Sequence, residues 1–271
     1  WRKQPLSAVM PAAFAGPKAS KGGFVLADEL SVLADKGREP EKITIIRMCF
    51  ARSGPPIWLA HLDLMRTFER SIRRAALPIA YTRGFNPRPQ LSFALPLGVG
   101  LATEDDYVDL TMLEPIDPRS AVDRLNLFLP PGLKVLTAGV VSAKDPSLMS
   151  LIQAAEYLLE GHGISTAAKR IAGLPQDRPW LVEKKQKGNM VTVDIRPLLM
   201  DMHDESPDRL FIQVKAGSKS NLRPKLFLEA LVRLGDFDPL AAADTEITRT
   251  KLLIADGFGG LKSPLPRPSA F

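Results

Sequence analysis

Residues 43–81 read ITIIRMCF-ARSGPPIWLAH-LDLMRTFERSIRRAA-LPIAY, and this stretch decides the fold. Ile43–Phe50 is rich in β-branched and apolar residues, which predicts a strand. Leu62–Ala76 sets Leu62, Met65, Phe68, Ile72, Ala75 and Ala76 on one side of a helix. Leu77–Tyr81 predicts a second, short strand. A strand, a helix and a strand in close succession give a βαβ beginning whose apolar helix face must be covered by a sheet.

The same pattern continues outward. Arg83-Gly-Phe-Asn-Pro-Arg-Pro89 reads as a stiff loop, because two prolines fix φ and the glycine permits a sharp turn. Strands follow at Leu91–Phe93 and Tyr107–Met112, separated by a Gly98–Gly100 turn. Ser120–Phe128 reads as a helix and Leu133–Val140 as a strand. The order is βαββαβ, the ferredoxin-like unit. A second set follows. Ala155–Glu160 is a strand and Ser165–Ala172 a helix. Trp180–Lys185, Met190–Ile195 and Arg209–Lys215 are strands. Pro224–Leu234 is a helix with proline in its first turn, and Glu246–Ile254 a closing strand. The expectation is an α+β chain with two ferredoxin-like (βαββαβ) domains in tandem, at 43–145 and 146–256, each with its own sheet. Residues 1–42 read as a poorly ordered lead-in with a short helix over 27–35, and 257–271 as a Gly/Pro-rich tail.

Composition narrows the function classes. Of 271 residues 45% are apolar and 24% charged, which excludes a fully disordered chain. Cys49 is the single cysteine, which excludes a disulfide framework and an all-cysteine iron–sulfur site. With only His61, His162 and His203, a histidine-rich zinc site is not expected, and no metal or cofactor is assigned. No run of apolar residues is long enough to predict a membrane span. No P-loop, dinucleotide fingerprint or nucleophile elbow occurs. A cytoplasmic location is expected. The acid-poor start of the lead-in also fits the remnant of an organellar presequence, which would place the chain in a matrix or stroma.

The net charge of +6 is modest, but its distribution is not even. Residues 47–88 hold eight arginines opposed only by Asp63 and Glu69. Between 43 and 133 there are ten arginines and no lysine, while the rest of the chain has sixteen lysines and ten arginines. Arginine presents a planar fork to phosphates and carboxylates and stacks on bases. On the helix, Arg66, Arg70 and Arg73 fall within about 60° of one another with Arg74 beside them, a face that suits a phosphate backbone or an acidic partner. In the stiff loop, Phe85 lies between Arg83 and Arg88, so a base stacked on the ring would have phosphate ligands on both sides. A solvated, ion-paired surface and a buried Phe85 are the competing readings. Lys219, Arg223 and Lys225 gather at a helix N-terminus and form a secondary candidate for an anion. His61 is the one candidate for general acid–base work, with Tyr81 or an arginine as helper. On the helical wheel it points toward the apolar stripe, which favours a structural role.

The stretch Trp58–Tyr81, with Arg83-Gly-Phe-Asn-Pro-Arg-Pro89 and Leu91-Ser-Phe-Ala-Leu-Pro-Leu-Gly98, closely resembles the bacterial radical SAM-linked protein family. The resemblance extends through Ser147-Leu-Met149 and Ser220-Asn-Leu-Arg-Pro224, over roughly 43–255, and leaves 1–42 outside. It implies a partner of a radical SAM protein, encoded near a G/E-type ribonuclease, and no established reaction. Radical SAM enzymes hold their cluster with three cysteines, so this chain is not the catalytic subunit. The paired ferredoxin-like order also looks like that of CRISPR repeat-processing endonucleases, an analogy of fold alone. The expected function is a non-catalytic RNA-binding or substrate-presenting partner of a radical SAM enzyme. The alternatives are an RNA-processing enzyme using His61, and a protein-binding scaffold in a ribosomal or ribonuclease assembly.

Overall fold

Thr44–Arg52 (β1) is buried on both faces, with Ile46, Met48 and Phe50 on one side and Arg47 and Cys49 on the other. A strand of this kind belongs inside a sheet. In the computed structural model, which describes residues 44–265 apart from Gly84 and Lys187, β1 lies between Ala102–Met112 (β3) and Leu133–Val141 (β4), antiparallel to both. The expected lead-in, its helix over 27–35 and the end of the expected tail lie outside the described residues. Leu91–Phe93 (β2) pairs with the outer edge of β3. Two helices, His61–Arg74 (α1) and Pro118–Asn126 (α2), supply Leu64, Phe68, Ile72, Ala121 and Leu125 to one core beneath the sheet. Phe50, Phe68 and Phe93 meet edge to face there, at centroid separations of 5.1–5.8 Å.

A short helical turn, Leu148–Leu151 (α3), leads into the second half. There Ile152–Glu160 (β5) pairs with Glu246–Ala255 (β10) and Arg209–Lys215 (β9), and β9 pairs with Leu199–Ser206 (β8). Ile164–Ala172 (α4) and Pro224–Leu234 (α5) bury Ile164, Ala168, Ile171, Phe227 and Leu231 in a second core. Pro239–Asp244 (α6), capped by the Asp238 carboxylate, precedes β10, and Leu261–Lys262 (β11) pairs with the end of β10.

The class is α+β, with a large and mostly antiparallel sheet. Its order is β4-β1-β3-β10-β5-β9-β8. The two expected separate sheets are therefore one. The join is a short parallel pairing of β3 with β10, at Ala102↔Thr248 and Thr103↔Arg249. Side chains reinforce it. Thr103 Oγ1 donates to the Arg249 carbonyl (3.1 Å), and the Arg249 guanidinium donates to the Asp106 carboxylate and to the Leu95 carbonyl (3.1 Å). Arg249 and Asp106 are both buried. Burial opposes the arginine charge, but Asp106 and Tyr157 outweigh it and hold the Arg249 pKa above its ordinary value. Nearby Arg52, also buried, donates to the Gly98 and Leu101 carbonyls at 3.0 and 2.8 Å, and burial lowers its pKa.

Two further expectations are corrected. Trp180–Lys185 and Met190–Ile195, assigned to the second sheet, correspond to Leu181–Gln186 (β6) and Asn189–Asp194 (β7), which among the described residues pair only with each other. The sheet position is taken by β8, whose Leu-Met-Asp-Met-His-Asp-Glu-Ser sequence shows no alternation. As an edge strand it needs none, since no residue of it is fully buried. On α1, Leu62 is exposed and the buried line runs through Leu64, Phe68 and Ile72.

Candidate nucleic-acid interface

The edge strand beside β3 is interrupted, and the interruption makes the loop. Ile79 bridges to Met112, and Ala80 N–H donates to the Thr111 carbonyl at 2.8 Å. Pairing with the same edge resumes when Thr111 N–H donates to the Gln90 carbonyl at 3.0 Å, and β2 carries it on to Val108. The expected strand Leu77–Tyr81 is thus only a pair of bridges, and 81–89 leave the sheet between two parts of one edge. Their neck is tied. Gln90 N–H donates to the Ala80 carbonyl and Thr82 N–H to the Arg88 carbonyl, both at 2.8 Å. Arg88 N–H also donates to Thr82 Oγ1 at 3.0 Å. The side chain of Arg88 at the neck is exposed, as are Arg83 and Phe85 beyond it, and Phe85 has 106% relative exposure. The alternative of a core Phe85 is excluded.

On α1 the arginines spread from one flank of the helix to its solvent side. Arg66 is exposed and pairs with Asp63 at 3.1 Å. Arg70, Arg73 and Arg74 are exposed, and Arg70 reaches only Thr67 Oγ1, at 3.3 Å. Among the described residues, no ion pair involves Arg70, Arg73, Arg74, Arg83 or Arg88. Arg73 and Arg74 stand in the last turn, where the helix dipole favours cations. They are not needed as caps, because the Arg124 guanidinium donates to the Ala75 carbonyl at 2.6 and 3.1 Å.

Beside this helix runs a groove of about 630 Å³ that sequence reading did not find. Thr67, Arg70, Ser71 and Arg74 form its helical wall. Pro55, Pro56, Phe128, Pro130 and Pro131 form the other. The hydroxyls of the helical wall are spent internally: Thr67 Oγ1 donates to the Asp63 carbonyl (2.8 Å) and Ser71 Oγ to the Phe128 carbonyl (2.9 Å). The proline walls are held together at Gly132, where Ser53 N–H donates to the Gly132 carbonyl at 2.8 Å. Gly132 has φ +89°, and a Cβ there would sit 2.3 Å from the Ser53 carbonyl oxygen, so only glycine fits. The Pro55-Pro56 and Pro130-Pro131 pairs were the available signal, but they lie far apart in the chain.

The remaining candidates stand elsewhere. His61 is half-buried, with its ring edge-on to Phe93 at 5.4 Å, so it extends the aromatic cluster of the core. Arg223 is the N-cap residue of α5, and Lys219 and Lys225 flank it, all three exposed. They belong to the second half and share no element with α1. Cys49 is buried and donates to Asp105 Oδ1 at 3.1 Å. No group of three or more potential metal ligands and no helix able to cross a membrane occurs among the described residues.

The fold and this surface define an α+β protein that displays arginines from one helix and one tied loop. The sequence model of a family described as an uncharacterized protein conserved in bacteria (DUF2344) matches residues 46–224, and the chain belongs to that family. No curated protein matches it.

Proposed function

We propose that this chain is a non-catalytic RNA-binding protein that presents an RNA substrate to a radical SAM enzyme in the cytoplasm. The five arginines without acidic partners among the described residues, joined by an exposed Phe85 on a tied loop, carry the RNA-binding part. Surface arginines usually find carboxylates, and a helix that keeps like charges four apart accepts a small cost. An anionic ligand removes that cost. The radical SAM partner rests on the sequence resemblance around Trp58–Gly98. The strand orders β4-β1-β3-β2 and β10-β5-β9-β8, the first threaded as βαββαβ and the second likewise apart from the inserted β6–β7 hairpin and α6, support reading the chain as two ferredoxin-like units fused through β3 and β10.

The test is a salt titration of binding to a labelled single-stranded RNA, with the wild type and Arg66→Gln/Arg70→Gln/Arg73→Gln compared. Each lost phosphate contact should flatten the slope of log affinity against log salt by about 0.7. The melting temperature should move by no more than about 2 °C. Equal affinities and slopes would return these arginines to a plain solvated surface.

A further inference from the structure

We infer that the groove beside α1 receives one unstacked base of single-stranded RNA, with the flanking phosphates on Arg70 and Arg74. This deepens the RNA-binding reading and rests on it. The groove has the size of a small-ligand site, about 300–1,000 Å³. Its chemistry is divided in two. One wall is proline and Phe128, apolar and rigid. The other ends in two guanidinium groups without acidic partners among the described residues, while Thr67 and Ser71 have already committed their hydroxyl protons. The groove therefore sets an apolar surface next to two cations. A nucleotide has that complement: an aromatic plane joined to a phosphate. Stacking on an aromatic or proline surface needs no particular base, so the site is expected to tolerate sequence. A duplex hides its base faces in the stack and cannot fill the groove.

Phe128 is the residue to change. It is 40% exposed and belongs to neither core, so its loss should leave the fold intact. The probe is a labelled single-stranded decaribonucleotide of mixed sequence, compared with the same strand annealed to its complement. Phe128→Ala should weaken single-strand binding roughly 5- to 150-fold, the range for one lost stack, and leave duplex binding unchanged. Phe128→Trp should retain single-strand binding, and melting curves should show both variants folded. Equal weakening toward both probes would overturn the base-in-groove assignment. So would unchanged binding in Phe128→Ala while the Arg66/Arg70/Arg73 variant loses affinity, a result that leaves the wider RNA reading standing. A wild type that binds polyglutamate and neither RNA would overturn both and mark the groove as a site for acidic protein.

Discussion

Helices α1 and α4 follow the first strand of their respective halves and pack beneath the same sheet, yet they treat charge in opposite ways. On α4, Lys169 pairs with Asp204 of β8 at 3.0 Å, and Arg170 pairs with Asp236 at 2.8 Å. On α1, Arg70, Arg73 and Arg74 have no such partner among the described residues. The segments that follow the helices differ too. After α1 the chain makes a short loop tied at its neck, which carries Arg88, with Arg83 and Phe85 beyond it. After α4 it makes the β6–β7 hairpin, whose Glu183 pairs with Arg233 of α5 at 3.6 Å. Among the described residues, α4 has its last-turn cations paired within its own half, and α1 does not. A shared frame thus does not fix how the surface charges of a helix are paired.

The largest effect should come at the seam that makes the two halves one body. Asp106→Ala leaves Arg249 charged, buried and unpaired, and should cost about 3–5 kcal/mol in a denaturant titration. Replacing both residues, as Asp106→Leu with Arg249→Met, should recover most of that. A loss below about 1 kcal/mol for the single change would mean that the halves hold together without this pair. Next come the phenylalanines of the first half. Phe68→Ala, in the core, should cost about 3–5 kcal/mol. Phe85→Ala should leave the melting temperature unchanged and weaken single-stranded RNA binding about 5- to 150-fold. A fall in stability with binding per folded molecule unchanged would remove the loop from the interface.

Smaller effects sharpen the contrast between helices. Lys169→Gln/Arg170→Gln on α4 should change RNA affinity by less than about threefold and lower the melting temperature by no more than about 2–4 °C. A loss matching that of the α1 variant would show nonspecific attraction to the whole chain. The smallest signal is a titration. The Lys169 ammonium, donating to the Asp204 carboxylate, holds it below its usual pKa, and the Phe258 and Gly260 N–H groups do the same for Asp256. In both, the folded pKa lies below the unfolded value of about 3.9. Their contribution to stability is therefore present above that value and fades as pH falls through the folded pKa. Carbon-13 NMR titration should find both midpoints below about 3.9, and Lys169→Gln should raise that of Asp204 alone.

The αβ alternation and the arginine surface were legible because both are local. Strand β9 and helix α5 occupy the expected residues, Arg209–Lys215 and Pro224–Leu234. Burial periodicity and a proline in the first turn act within a few residues. Strand β8 was hidden because an edge strand has no buried face to impose alternation, and β6–β7 alternate well enough to imitate it. The buried line of α1 was misplaced at its start, where Leu62 and Leu64 compete and only the sheet decides which is covered.

By itself the sequence determined that the chain is α+β, that its arginines concentrate between β1 and α2, and that Arg83–Pro89 is a constrained loop. Spacing, composition and proline stereochemistry are properties of neighbouring residues. Only the tertiary structure decided that one sheet runs through both halves, because two residues of β3 meet two of β10 far along the chain. It alone placed Pro55-Pro56 against Phe128 and Pro130-Pro131 to make a groove beside Arg70 and Arg74. It alone separated paired from unpaired charge, since a carboxylate found across the sheet has no signature in the arginine's own neighbourhood.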